Sequence, residues 1–301
     1  MTRWYRHRFY SVPTLQWMFR AIAWVPRFAQ STIALGIALV FCTLLKQERK
    51  AVASNLRQIT GSRGLSLYWN VYRVFYSFSD FMVSYGYVPQ ASHAQLLTML
   101  VDGESKTSNI ESCLSAGKGL IVWTAHLGNP EFASRLLEMF GRPVNVARVV
   151  EDNPAETMLR SKMASERLRV IDLKNGARAT IELLQALRRN EIVAIQGDRV
   201  YNPHHCLDIL FFSKPAAFPL GPFLLSQVSG APILPAFVVR QSWLRYRALV
   251  GDVIFPGDSG DTDADQHAAL QQAVHFLEAQ LSVHYDQWIN FFDFWHTNAH
   301  D

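Results

Sequence analysis

From about residue 65 onward, short apolar runs alternate with stretches in which apolar positions recur every three or four residues. The runs at 119–125, 144–150, 168–173, 191–196, 207–212, 233–239 and 243–253 have the length and β-branched content of strands. The intervening stretches 65–88, 106–116, 130–140, 154–167, 176–189, 218–229 and 264–284 carry the helical period. Pro89, Gly117 and Gly141 stand where the helices should stop. This alternation predicts an α/β fold with a mostly parallel central sheet flanked by helices. The polar stretch 257–265 is too short for a domain boundary, so residues 61–301 read as one α/β domain.

Residues 1–60 break the pattern. Arginines are interleaved with aromatic residues up to Arg27, and residues 28–45 then run without a charge, closed by Lys46, Arg49 and Lys50. Eighteen residues reach ~27 Å as a helix, near the lower limit for spanning a bilayer core. A short transmembrane helix, a helix lying in the interface and a buried core helix are the three readings. Residues 1–60 are therefore expected to be an N-terminal membrane-anchoring segment. No small-residue cleavage site follows promptly, so a cleaved signal peptide is not expected.

Composition sharpens this picture. Of 301 residues, 49% are hydrophobic and only 18% charged, below the ~25% usual in soluble domains. The net charge of +4 hides an uneven spread: residues 1–50 hold eight basic residues against Glu48, and residues 251–301 hold nine acids and no Lys or Arg. A nucleic-acid binder would carry basic charge through its body. Cys42, Cys113 and Cys206 are scattered, which excludes a disulfide framework and fits a reducing compartment.

The templates for serine-hydrolase elbows, P-loops, zincins and dinucleotide folds are absent. The sharpest chemical feature is His126, directly after the 119–125 strand, with Glu131 five residues on. Strand carboxyl ends are where α/β proteins build sites. Asn129 and Pro130 are suited to start the next helix, with Glu131 in its first turn. An acid that holds one ring nitrogen leaves the other free to take a proton from a hydroxyl. The alternative is that Glu131 is a surface acid matched to the helix dipole and His126 a loop residue. His204, His205 and Asp208 do not make a metal site, because neighbouring residues on a strand point to opposite faces. The aromatic run 68–87 reads as core or as the wall of an acyl channel, and Trp288 and Trp295 as structural.

The segment His126-Leu-Gly-Asn-Pro-Glu131 resembles the H-x4-[D/E] motif of the glycerolipid and lysophospholipid acyltransferase superfamily. Further blocks are similar to its late lipid A (lauroyl/myristoyl-type) branch: Arg49 with Asn55-Leu56, VNVARVVEDNP at 144–154 with Arg148, the 190–198 strand ending in Asp198, residues 211–225 with 229–238, and QWINFFDFW at 287–295. The likeness runs over roughly residues 15–295. Two departures stand out: Arg199-Val200 follows Asp198 where that branch tends to carry a second acid, and no Arg matches the one after the Asn-Pro of the second block. Gly197-Asp198-Arg199 and the 290–295 ending look more like a side branch associated with aryl-polyene or xanthomonadin-type pigments.

The resemblance implies an O-acyltransferase at the cytoplasmic face of the inner membrane. An acyl-ACP or acyl-CoA thioester would be the donor, a hydroxyl of a lipid or glycolipid the acceptor, with neither a cofactor nor a covalent acyl-enzyme. His126 is then the expected base and Glu131 its orienting acid. Arg148, Arg199 and the backbone N–H groups of 127–131 are expected oxyanion donors. Asp198 would bind polar groups of the acceptor or hold Arg148, and Lys214 would meet a phosphate. A thioester hydrolase on the same dyad and a non-catalytic membrane scaffold are the alternatives.

Overall fold

The computed structural model describes residues 11–101, 107–255, 257 and 259–297. The arginines and aromatics of residues 1–10, set against a membrane above, lie outside the described residues. Four helices open the described chain: α1 (Val12–Trp24), α2 (Arg27–Leu44), α3 (Lys46–Thr60) and α4 (Gly64–Ser84). The uncharged run forms α2, which packs Ala38 against Val71, Val74 and Phe75 of α4. No single described helix is long and apolar enough to cross a membrane, and the chain turns through 98° between Ala29–Leu44 and Lys46–Thr60. Helix α3 was not anticipated: its buried face is Glu48, Val52, Asn55 and Leu56, half of it polar.

After α5 (His93–Met99) and α6 (Thr107–Ser115), the expected alternation appears as β1 (Leu120–Thr124), α7 (Pro130–Leu137), β2 (Val144–Arg148), α8 (Pro154–Met163), β3 (Leu168–Asp172), α9 (Ala177–Arg188) and β4 (Ile192–Gln196). A hairpin follows, β5 (Cys206–Phe211) and β6 (Lys214–Pro219), then α10 (Gly221–Ser229), β7 (Ile233–Ser242), β8 (Arg245–Val250), α11 (Thr262–His284) and the short α12 (Phe294–Thr297). The main sheet has the order β3-β2-β4-β1-β7-β8. Its first five strands are parallel, and β8 returns antiparallel beside β7. Strand β6 was missed by the pattern because the turn before it is only Phe212-Ser213, both in the left-handed region.

Alternation of side chains divides the sheet. Ile121 and Trp123 of β1, Val193 and Ile195 of β4 and Phe237 of β7 face α9, α10 and α11 in one dry core. The opposite face presents Val122, Val146, Ala194, Ala236 and Val250. Helices α6, α7 and α8 and the end of α4 cover that face without filling it, leaving a cavity of about 500 Å³.

Candidate active site

The site forms where β1 and β4 end. Their parallel register pairs Thr124 with Gln196, and two further residues on each chain bring His126 level with Asp198. Gly197 must lie flat here, since a Cβ on it would stand 1.9 Å from Trp123 Nε1. His126 donates its backbone N–H to Asp198 Oδ2 at 3.1 Å, and its ring Nδ1 lies 2.7 Å from Asp198 Oδ1. The indole N–H of Trp288 and the amide of Asn290 complete the carboxylate's donors, at 2.9 and 3.3 Å.

Asp198 is fully buried. Burial alone would push its pKa up. The His126 ring, the Arg199 charge and the Trp288 N–H outweigh burial and hold the carboxyl well below the usual carboxylate range. An ionised Asp198 accepts Nδ1–H and fixes the ring as the tautomer with its lone pair on Nε2. Burial lowers the His126 pKa, the charges of Arg199 and Arg148 lower it further, and Asp198 opposes them. The net effect is a neutral imidazole at pH 7, able to accept a proton. Nε2 makes no protein hydrogen bond among the described residues, and His126 lines the cavity.

This geometry changes the expected roles. Glu131 does not hold the imidazole: its Oε1 accepts from the Tyr85 hydroxyl at 2.9 Å and faces Arg148 Nη1 at 3.8 Å. Position i+5 falls on the first turn of α7, which Asn129 caps by accepting the Phe132 N–H at 2.9 Å, so Glu131 is carried along the cavity wall. Asp198 has no exposed surface with which to meet an acceptor and makes no bond to Arg148. Arg148, at the end of β2, lines the cavity and donates to Glu156 at 2.9 Å. Arg199 donates to Asn290 Oδ1 at 3.1 Å and to the Ile289 carbonyl at 3.0 Å. Lys214 starts β6 on the exposed hairpin and is not part of the cavity wall.

The loop N–H groups are also taken in part. Gly128 donates to the Gln287 carbonyl at 3.0 Å and Asn129 to the Val238 carbonyl at 2.7 Å. Gly128 sits at φ +74°, and a Cβ there would lie 2.0 Å from the Val238 oxygen. The loop is therefore pinned between β7 and the 287–289 segment, with Ile289 N–H donating to the His126 carbonyl at 2.8 Å. His204 and His205 are exposed, and among the described residues no group of three or more His, Cys, Asp or Glu could hold a metal ion.

The cavity wall is mainly apolar. Ile110, Val122, Leu137, Val146, Ala194 and Val250 line it together with the polar His126, Glu131, Arg148, Arg199 and Tyr201. Phe78 and Phe81 from the aromatic α4 form part of the wall. Tyr85, Glu156, Trp288 and Asn290 were not singled out as site residues by sequence. Tyr85 carried the signal of the aromatic run, and Trp288 and Asn290 that of the Gln-Trp ending; Glu156 lies just past the second block and carried none.

A model of the bacterial lipid A biosynthesis acyltransferase family matches residues 8–297. Two curated relatives, both phosphatidylinositol mannoside acyltransferases, from Mycobacterium tuberculosis strains CDC 1551/Oshkosh and ATCC 25618/H37Rv, are each 26% identical over 207 residues. That stretch is 67% of this chain and 62% of the relatives, so the match spans under two thirds of their length. With the family model matched across nearly the whole chain, this protein belongs to the bacterial lipid A biosynthesis acyltransferase family.

Proposed function

We propose that the protein transfers an acyl chain from an acyl thioester, carried by acyl carrier protein or coenzyme A, to a hydroxyl of a lipid or glycolipid. The observation that carries this is the His126–Asp198 pair, with Nε2 unpartnered in the wall of a mainly apolar cavity that Glu131 and Arg148 also line. The acyl chain lies in the apolar interior and its thioester carbonyl beside His126. Nε2 takes the acceptor hydroxyl proton while the oxygen attacks the carbonyl carbon. The tetrahedral oxyanion is met by Arg148. Collapse breaks the C–S bond, and the imidazolium returns its proton to the leaving thiolate. Asp198 stays ionised throughout and stabilises the imidazolium, so no acyl-enzyme forms. Glu131, held by Tyr85 and facing Arg148, orients that guanidinium and the acceptor's polar groups.

Helices α1, α2 and α4 supply the reason for a membrane acceptor. They expose Trp17, Trp24, Leu39, Val40, Leu65 and Trp69, with Trp24 90% and Leu65 88% exposed. The two acids between residues 11 and 84, Glu48 and Asp80, are both buried, whereas Arg20, Lys46, Lys50, Arg57 and Arg63 are exposed. Such a face suits in-plane docking on an anionic leaflet, at the cytoplasmic side of the inner membrane.

The 197–199 and 290–295 segments favour, as a second acceptor, a precursor of an aryl-polyene-type pigment. Lipid and pigment extracts of a deletion strain decide: the species that loses an acyl ester is the acceptor. Free fatty acid released from the thioester at the same rate with and without acceptor lipid would make the protein a hydrolase instead. Thioester turnover unaffected by His126→Ala or by Asp198→Ala would remove the proposed mechanism.

A further inference from the structure

Asn55 belongs to α3, within the segment that the sequence pattern assigns to anchoring. It is 3% exposed, and all three of its side-chain partners lie in the C-terminal segment of the chain. Its amide donates to the carbonyls of Phe292 at 2.8 Å and Asn290 at 3.4 Å, and its Oδ1 accepts the Phe294 N–H at 2.9 Å. The clamped segment serves the site directly. Asn290, 1% exposed, spans Asp198 and Arg199 with its two side-chain atoms. The Ile289 carbonyl takes the other Arg199 bond, and Ile289 and Phe292 line the cavity. A buried amide with every bond made holds its partners in one geometry, and removing it leaves carbonyls unpaired.

We infer that Asn55 is a positioning residue for the acyl-transfer site: from α3 it fixes the 289–294 segment that holds Arg199 and Asp198 beside His126. Helix α3 is thereby part of the active-site frame as well as of the N-terminal segment. The inference rests on the His126–Asp198 pair being the proton-transfer pair.

The charged groups around the imidazole are Asp198 and Arg199 after β4 and Arg148 at the end of β2. They respond unequally to a loosened segment. Asp198 keeps the two His126 donors and Trp288, whereas Arg199 loses its bonds to residues 289 and 290 and keeps Tyr201 as its side-chain hydrogen-bond partner. Freeing the segment lets the guanidinium move away, and loss of a neighbouring cation raises an imidazole pKa. Gln58, three residues along α3, donates to the Phe212 carbonyl at 2.7 Å, and among the described residues its side chain makes no hydrogen bond to the 289–294 segment. It is the control for loosening α3 alone.

The test is 15N NMR of the full-length protein labelled at histidine, with His126 assigned by the signal missing from His126→Gln. The native ring should show the Nδ1–H tautomer and titrate below 6.5. Asn55→Ala should move its midpoint up by about half a pH unit or more, while Gln58→Ala leaves it in place. Turnover is read as thiol release from palmitoyl-coenzyme A with a bacterial lipid extract as acceptor. Asn55→Ala should lower kcat about 10- to 100-fold with the KM for the thioester unchanged. If Asn55→Ala does not fold, Asn55→Ser, which keeps a donor, should show the same shift in smaller degree. A native midpoint and native kcat in the folded variant would overturn the inference. Full turnover by His126→Gln and Asp198→Asn would instead overturn the proton-transfer reading beneath it.

Discussion

His126 and Asp198 stand at the ends of neighbouring parallel strands, level with one another, with Nδ1 2.7 Å from Oδ1. The two are 72 residues apart in the chain, and only the β4-β1 adjacency in the sheet makes them a pair. Asp198→Asn keeps the shape but removes the charge and permits the wrong tautomer. Its kcat should fall by ~10³-fold or more. Glu131→Gln keeps an oxygen for the Tyr85 hydroxyl and leaves the imidazole untouched; its loss should be below ~10-fold in kcat and fall mainly on acceptor KM. Steady-state kinetics of the two variants, with donor and acceptor varied separately, decides which carboxylate orients the base.

Activity should depend on pH through the imidazole. Burial first, and then the charges of Arg199 and Arg148, place its pKa below the ordinary 6.5. The base works only when neutral, so kcat/KM should hold down to pH 6.5 and fall below it. Arg199→Gln removes one depressing charge, and its acid limb should move to higher pH. The same depression makes this group's contribution to stability full above pH 6.5. That contribution is lost as pH falls through the lower folded-state value, because the unfolded chain takes up the proton first. Chemical denaturation of native protein and His126→Gln between pH 7 and 5 should show the difference narrowing as pH falls.

The strands and helices of the α/β body were legible because period-2 and period-3.6 patterns and the Asn129-Pro130 start signal are local properties. His126 was legible for the same reason, as a titratable residue at a strand end. Its partner was not, because local spacing favours Glu131 and strand order cannot be read from spacing. Lys214, expected on a turn as a phosphate ligand, is the exposed first residue of the unrecognised strand β6 and does not line the cavity. Helix α3 escaped because its inward face mixes Asn55 and Glu48 with Val52 and Leu56, and polar residues that bury through long-range bonds leave no hydrophobic stripe.

The cavity interior should set acyl-chain selectivity. Ala194 lies on β4 between Val122 and Val146, in the wall of the cavity. Ala194→Leu fills part of that space, so long donors should lose ground to short ones. Each methylene denied burial costs about 0.8 kcal/mol, or roughly fourfold in relative kcat/KM. A series of acyl-CoA donors of increasing length gives the ratio; an unchanged length preference would place the chain elsewhere.

Close backbone packing behind the loop predicts a different kind of damage. Gly128→Ala sets a methyl against the Val238 carbonyl at a positive φ, forcing the His126 loop off β7. It should cost about 1–3 kcal/mol in urea unfolding and also reduce kcat, because His126 and Asn129 move with the loop. Gly141→Ala is the comparison: it carries a similar positive φ at 70°, but its nearest neighbour is an Arg167 side chain at 3.7 Å. It should lose stability from backbone strain alone and keep its turnover per folded molecule.

Membrane docking should separate from folding. Leu39 and Val40 on α2 and Trp69 on α4 are exposed, and the Tyr72 hydroxyl bonded to the Leu35 carbonyl at 3.0 Å sets the two helices side by side. Leu39→Glu with Val40→Glu puts two charges on this face without touching the Ala38 contact beneath it. Pelleting with vesicles rich in anionic lipid should fall steeply, with the melting temperature unchanged. Reversing Lys46 and Lys50 to Glu should weaken pelleting by removing an attraction worth about 1 kcal/mol per basic residue near the surface. That loss should shrink in high salt, which screens charges beyond about 10 Å at 0.1 M, whereas the loss from the apolar pair should persist. Native pelleting by both variants would show that the exposed apolar rows face something other than a bilayer.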